Sequence, residues 1–332
     1  MNAMVETDSK RLIIKGLVSS LLPFTLIYFY FTVIKVLCVD TLRFNGTSLY
    51  VYLTYTMLLS YIIINYVRVL NDNKVTTFDR FPFTYHDISR DKRIDASMAV
   101  KEQVINKQVK DKIVCAHCFV YKPPRSTHCK ECGRCFLKRV SHCYFMETCV
   151  GFHNQKFFVL FLISLLVHNA FIIIAFIIAL KTVPLYRMVA QKQNQEYRLV
   201  FREHFIISVI VAFVEIPPSL WFLVFHLYLI LRNETNLERK ALNLYRMGSN
   251  ALDYIFTQGL ITLNTPNLSR NIANPYFLNF RKNFREVFGD NIWEWALPTY
   301  STKGNGTEFE MNYAEEELKA KTLTPAIPEQ FE

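Results

Sequence analysis

Residues 115–149 read CAHCFVYKPPRSTHCKECGRCFLKRVSHCYFMETC, a stretch that holds seven of the 8 cysteines in this 332-residue chain. Structural zinc takes four Cys or His ligands, and a CxxC pair places two thiolates on one turn. Two such sites need eight ligands, whereas the seven cysteines with His128 and His142 make nine. The spacing therefore predicts two zinc sites and one spare thiol, a candidate nucleophile. The alternative is a zinc-stapled loop with an idle cysteine; His117 and His153 are interpreted as surface residues.

Four apolar blocks lie outward from this stretch, at residues 12–39, 49–70, 157–180 and 205–231. Each is long enough for a membrane-spanning helix, which needs about 20 apolar residues. The alternative, buried core helices of a soluble protein, is usually shorter and amphipathic. With 51% apolar residues overall, the chain is predicted to be an all-α integral membrane protein with four transmembrane helices. Cys38, alone in the first block, is interpreted as a small apolar filler.

Basic residues predict the orientation. Arg68 and Arg80 follow the second block and Arg232 follows the fourth, whereas the connection 40–48 holds only Arg43. The positive-inside rule then places segment 1–11, the loop 71–156 and the tail 232–332 in the cytosol, with 40–48 and 181–204 lumenal. A reducing cytosol favours metal over disulfides in the cysteine-rich part, about residues 113–156. The net charge of +10 is attributed to contact with anionic lipid, and no nucleic-acid partner is expected because no motif accompanies the charge.

The quoted stretch resembles the cysteine-rich domain of the DHHC family of palmitoyltransferases. Beyond it, Asn154 and Phe158 fit that family's Asn-x-x-x-Phe, and Thr235-Asn-Leu-Glu238 resembles its Thr-Thr-x-Glu with Asn236 in place of the second Thr. Residues 274–289, which include Asn283, resemble its C-terminal motif. The cysteine-rich motif is highly specific, and the other motifs gain weight because they occur in the family's order.

The resemblance implies a set of roles for the clustered residues. One zinc would be held by Cys115, Cys118, His128 and Cys135, and the other by Cys129, Cys132, His142 and Cys149. The acylated nucleophile would be Cys143. The implied co-substrate is a fatty acyl-CoA, and the implied partners are the lipid bilayer and membrane-associated proteins with cysteines near its surface. The implied location is the endomembrane system or the plasma membrane.

The chain departs from the family at the tetrapeptide Asp-His-His-Cys, which reads Val140-Ser141-His142-Cys143 here. The missing His is the family's general base, and the missing Asp orients it. A positioned base is typically worth about 10²–10⁴ in rate. Glu147 and His153 are candidate replacement bases, although the sequence places neither beside the thiol.

Three functions follow from these observations. The first is protein S-acylation, in which Cys143 takes an acyl group from acyl-CoA and passes it to a protein cysteine. The second is a catalytically silent relative that keeps the zinc fold as a scaffold or adaptor. The third is a transporter or channel, which only Glu215 and the Pro217-Pro218 pair within the fourth block support. The sequence favours the first, because losing a base slows nucleophilic catalysis without abolishing it.

Overall fold

The computed structural model describes residues 2–41, 46–72, 77–80, 115, 117–118, 122–187, 195–246, 274 and 276–310. In the described part, the long helices are α1 (Asn2–Phe31), α2 (Gly46–Asn71), α4 (Gln155–Arg187) and α5 (Gln195–Arg232). The shorter helices are α3 (Thr77–Arg80), α6 (Asn236–Arg246), α7 (Phe280–Phe288) and α8 (Ile292–Ala296). The first chain segment continues from α1 into a π-helix, Thr32–Thr41.

Four of these helical segments are long and apolar enough to cross a membrane: Lys15–Val39, Gly46–Asn71, Gln155–Ala179 and Arg202–Arg232. They coincide with the four apolar blocks of the sequence. The helices themselves extend further than the blocks, since α4 runs to Arg187 and α5 begins at Gln195. The thickness of the hydrocarbon core sets the length of the apolar stretch, and a helix can continue beyond that stretch.

The protein is mostly helical rather than all-α, because the cysteine-rich domain (residues 115–150) contains two antiparallel hairpins. Strand β1 (Thr127–Cys129) pairs with β2 (Arg134–Phe136), and β3 (Ser141–Cys143) pairs with β4 (Thr148–Val150). Gly133, with φ of 67°, adopts the left-handed conformation in the first turn, which favours glycine. Hydropathy could not predict these strands, because three-residue strands held by ligand spacing carry no alternating apolar pattern.

Helix α4 is the centre of the bundle and packs against both α2 and α5. Its first turns join Phe157, Phe158 and Phe161 to Ile62 of α2 and Val150 of β4 in one apolar cluster. This cluster ties the cysteine-rich domain to the ends of the membrane-spanning helices. A second cluster joins Val159 of α4 to Val287 and Phe288 of α7. The C-terminal segment therefore packs on the same end of the bundle as the hairpins.

Candidate functional site

The eight residues assigned to metal by the family resemblance come together in two groups. Cys115, Cys118, His128 and Cys135 form one group, and Cys129, Cys132, His142 and Cys149 form the other, with ligand atoms in each group within 4.8 Å of one another. The hairpin register explains the grouping, since His128 lies opposite Cys135 and His142 lies opposite Cys149. Neighbouring residues on a strand point to opposite faces, so His128 and Cys129 serve different groups.

The spacing within the groups fits a tetrahedral zinc ion. Bonds of about 2.3 Å to sulfur and 2.0–2.1 Å to nitrogen require ligand atoms about 3.5–3.8 Å apart. The Sγ atoms of Cys132 and Cys149 are 3.6 Å apart, and Nδ1 of His142 lies 3.4 Å from Sγ of Cys132 and 3.8 Å from Sγ of Cys149. Arg139 donates to the sulfurs of Cys149 and Cys129 at 3.3 and 3.6 Å, which stabilises them as thiolates. The donor chemistry and spacing thus suit two structural zinc ions.

Cys143 lies on the opposite face of β3 from the metal-facing His142, as strand alternation requires. That face packs against the apolar cluster at the start of α4, and Cys143 opens into a cavity of about 360 Å³ between α1, α4 and α5. Burial raises the pKa of the Cys143 thiol above its usual range, and the nearby Glu147 carboxylate acts in the same direction. The spare thiol is therefore separate from the metal groups, and its burial disfavours the thiolate form.

The cavity is almost entirely apolar and follows α5 away from Cys143. Its lining along α5 extends from Phe222 near the thiol to Ile210, a distance of about 18 Å along a helix that rises 1.5 Å per residue. Leu22 and Leu165 contribute from α1 and α4. The cavity is therefore long and almost entirely apolar, and the Cys143 thiol lies in its wall.

Glu215 also lines this cavity, and its carboxylate Oε2 accepts a hydrogen bond of 3.2 Å from Asn169 of α4. The carboxylate thus has a polar partner between the helices, as intramembrane acids generally do. The pair Pro217-Pro218 lies within α5, which the structure describes as one helix from Gln195 to Arg232. Glu215 is accordingly part of the wall of the cavity that Cys143 also lines.

The two candidate replacement bases differ in their surroundings. Glu147 is close enough to Cys143 to affect its pKa, and Oε2 of Glu147 is 3.9 Å from Nε2 of His142, beyond hydrogen-bond distance. His153 has its Nδ1 3.3 Å from the Tyr300 hydroxyl and stacks on the Tyr300 ring. The described contact of His153 is thus with Tyr300 and not with the Cys143 thiol.

Thr235 and Glu238 form a capping box at the start of α6. The Glu238 amide donates to Oγ1 of Thr235 at 3.2 Å, and the Thr235 amide donates to Oε2 of Glu238 at 2.8 Å. The pattern Thr-x-x-Glu before a helix predicts this arrangement from sequence alone. Glu238 also pairs with Arg125, whose Nε and Nη2 donate to the two carboxylate oxygens at 2.9 and 3.0 Å.

Arg125 is a functional residue that the sequence did not single out. Its guanidinium is fully buried and also donates to Oδ1 and the backbone oxygen of Asn233 at 3.0 and 2.8 Å. The ring of Tyr276 lies 4.1 Å from the guanidinium carbon. Because Asn233 ends α5 and Tyr276 begins the C-terminal segment, Arg125 joins the cysteine-rich domain to both.

Asn154 and Asn283 hold the same region through backbone contacts. Asn154 donates to the carbonyls of Val69 and Cys149 at 3.0 and 2.9 Å and accepts from the Gly151 amide, so it links α2 to β4. Asn283 donates to the Leu231 carbonyl at 2.8 Å near the end of α5. Both side chains are buried. These motif positions therefore act by fixing the hairpins and the C-terminal segment to the helix ends.

The structure combines four helices long and apolar enough to cross a membrane, two Cys/His groups that could each hold a metal ion, and one further thiol that lines an apolar cavity. Residues 108–243 match the DHHC palmitoyltransferase family profile. This match supports the family resemblance that was predicted from the motifs.

Named relatives share this region at modest identity. The chain is 30% identical to the palmitoyltransferase PFA3 of Yarrowia lipolytica over 203 residues, which cover 60% of this chain and 49% of that protein. It is 25% identical to the palmitoyltransferase ZDHHC2 of Danio rerio over 292 residues, covering 84% of this chain and 72% of that protein. The human ZDHHC2 is also 25% identical, with 82% of this chain and 69% of that protein covered. The chain thus spans about half of the first relative and about seven tenths of the other two.

Proposed function

We propose that this protein is a multi-pass membrane S-acyltransferase. Cys143 attacks the thioester of a fatty acyl-CoA, so that a new sulfur–carbon bond forms as the bond to the CoA sulfur breaks. The acyl group then passes from Cys143 to a cysteine of a membrane-associated protein. The carrying observation is that Cys143, the one cysteine of residues 115–150 outside the two metal groups, opens into the apolar cavity between α1, α4 and α5. A long apolar cavity between spans suits an acyl chain.

The two metal groups would each hold a structural zinc ion, which fixes the hairpins and leaves no open coordination position for catalysis. Metal in these sites would contribute folding free energy, because the hairpins are too short to be stable alone. The chain's own residues supply the remaining parts: β3 presents the thiol, the cavity wall holds the acyl chain, and Arg125 and Asn154 fix β3 relative to the bundle. The basic ends of the spans suit the orientation proposed from sequence, with the cysteine-rich domain and both termini cytosolic.

The second candidate function is a catalytically silent scaffold. It is favoured by Val140 and Ser141, which stand where the family has its Asp and general-base His. The valine at position 140 carries no carboxylate, and because it is only 2% exposed, solvent does not reach it. The two candidates differ in a single measurable property, the formation of a thioester on Cys143.

The test incubates the purified protein with a labelled long-chain acyl-CoA and measures label that hydroxylamine removes. We expect wild-type protein to be labelled and Cys143→Ser to be unlabelled, with unchanged zinc content because this thiol is outside both metal groups. Cys38→Ser is the matched control, since Cys38 is a buried cysteine on the first membrane-spanning segment and should leave labelling unchanged. Labelling that survives Cys143→Ser would contradict the proposed site.

The double variant Val140→Asp with Ser141→His separates the two candidates. Under the acyltransferase proposal it accelerates a reaction that wild-type protein already performs, by at most about 10²–10⁴. If only the double variant is labelled, the cavity accepts acyl-CoA but the natural chain is a silent scaffold. If neither protein is labelled while both retain two zinc ions, the acyl-CoA site itself is absent.

A further inference from the structure

A buried histidine on α5 lies beside the position where the chain lacks its expected base. Nε2 of His226 is 3.5 Å from Oγ of Ser141, at the long limit of a hydrogen bond. His226 is 1% exposed, and its Nδ1 has no hydrogen-bond partner among the residues that the structure describes. An imidazole buried in an apolar environment with a single weak polar contact lowers stability. Such a group in a folded protein calls for an explanation, and a functional role is one.

The ring of His226 is fixed by aromatic packing rather than by further hydrogen bonds. Its centroid lies 4.7 Å from that of Phe158 and 5.7 Å from that of Phe225. Phe158 lines the same cavity as Cys143, and Phe222, one helical turn before His226, lines it too. The imidazole therefore lies next to the end of the cavity at which the thiol opens.

Strand geometry places this imidazole on the thiol side of β3. Side chains two residues apart on a strand point to the same face, so Ser141 and Cys143 share the face that His142 does not. The strand rise of about 3.3 Å per residue puts the Cα atoms of Ser141 and Cys143 about 6.6 Å apart. A relay made of the Ser141 hydroxyl and one water molecule would have the length to join the thiol to Nε2 of His226.

We propose that His226 supplies, from α5 and through Ser141, the proton acceptor that position 141 itself no longer provides; this rests on the acyltransferase function proposed above. As the sulfur of Cys143 bonds to the acyl carbon, its proton passes through the bridging hydroxyl to Nε2 of His226. The same proton returns to the sulfur of CoA as its bond to the acyl carbon breaks. His226 is neutral before and after the step, and the products are the Cys143 thioester and free CoA.

The experiment compares single-turnover labelling of Cys143 in wild-type protein and His226→Phe at saturating acyl-CoA. Phenylalanine keeps the packing against Phe158 and Phe225 but removes the proton acceptor. The expected result is a rate lower by about 10²–10⁴, with an unchanged acyl-CoA concentration for half-maximal rate and unchanged zinc content. His168→Phe is the matched control, because His168 is a fully buried histidine bonded to Tyr55 at 3.2 Å and is not among the residues that line the cavity.

A rescue variant distinguishes loss of proton transfer from structural damage as the cause of a slow His226→Phe reaction. Adding Val140→Asp and Ser141→His to His226→Phe places an imidazole at position 141, and the labelling rate should return to at least that of wild-type protein. A triple variant that folds, holds two zinc ions and stays as slow as His226→Phe would overturn the proposal. So would a His226→Phe rate equal to that of wild-type protein, and in that case the acyltransferase function would stand. Wild-type protein without any label on Cys143 would overturn the function as well.

Discussion

Removing the Glu238 carboxylate should release the cysteine-rich domain from the end of α5. Glu238 accepts two hydrogen bonds from Arg125, whose side chain is fully buried while that of Glu238 is 7% exposed. Glu238→Ala leaves this guanidinium buried with only the two oxygens of Asn233 as partners. Breaking a buried ion pair by deleting one partner costs about 3–5 kcal/mol. At about 1.4 kcal/mol per factor of ten, the opened population of this region should rise by about two to four orders of magnitude.

The assay is the rate of proteolytic cleavage of the native protein in detergent micelles, under conditions in which cleavage follows the opened population. The matched control is Glu310→Ala, which breaks the exposed Lys282–Glu310 pair of 3.1 Å and should cost about 0–1 kcal/mol. Glu238→Gln keeps the side-chain shape and removes the charge, so its effect should lie between the two. Equal cleavage rates for Glu238→Ala and Glu310→Ala would refute the view that Arg125 holds the domain in place.

Two further outcomes follow from the metal groups and the cavity. The purified protein should contain two zinc ions by metal analysis. His128→Ala or Cys132→Ala should lower that number and increase protease sensitivity, because the free energy of metal binding contributes to folding here. An unchanged zinc content would contradict the ligand assignment. Val211→Trp fills the end of the cavity remote from Cys143 and should shift labelling toward acyl-CoA with a shorter chain. The control Phe213→Trp changes an exposed residue and should cause no shift. Competition between acyl-CoAs of two chain lengths measures the shift.

Sequence predicted the parts of this protein that depend on local pattern. The four apolar blocks correspond to four helices because hydrocarbon thickness sets a length that hydropathy reports directly. The two metal groups contain the residues that the family resemblance implies, and their number agrees with the ligand count made from the sequence.

The parts that sequence did not predict depend on contacts between residues far apart in the chain. Arg125 meets Asn233 across 108 positions and Glu238 across 113, and His226 meets Ser141 across 85. In the sequence, Arg125 is one basic residue among many, and His226 is one of several polar residues on an otherwise apolar helix. Only the packing of α5 against the hairpins distinguishes them from an exposed charge and an ordinary core histidine. The π-helical turn at Thr32–Thr41 likewise has no signal in hydropathy.

Strand β3 explains why a chain can lose the family's Asp and His and keep its zinc fold. Alternation directs His142 to the metal group and directs Ser141 and Cys143 to the opposite face, toward α5 and the cavity. A substitution at position 141 therefore changes the thiol's surroundings without removing a metal ligand. The same face receives the His226 side chain from α5. On the proposal made above, the group that activates the thiol would come from α5 rather than from β3, and the tetrapeptide alone would then be a poor guide to activity.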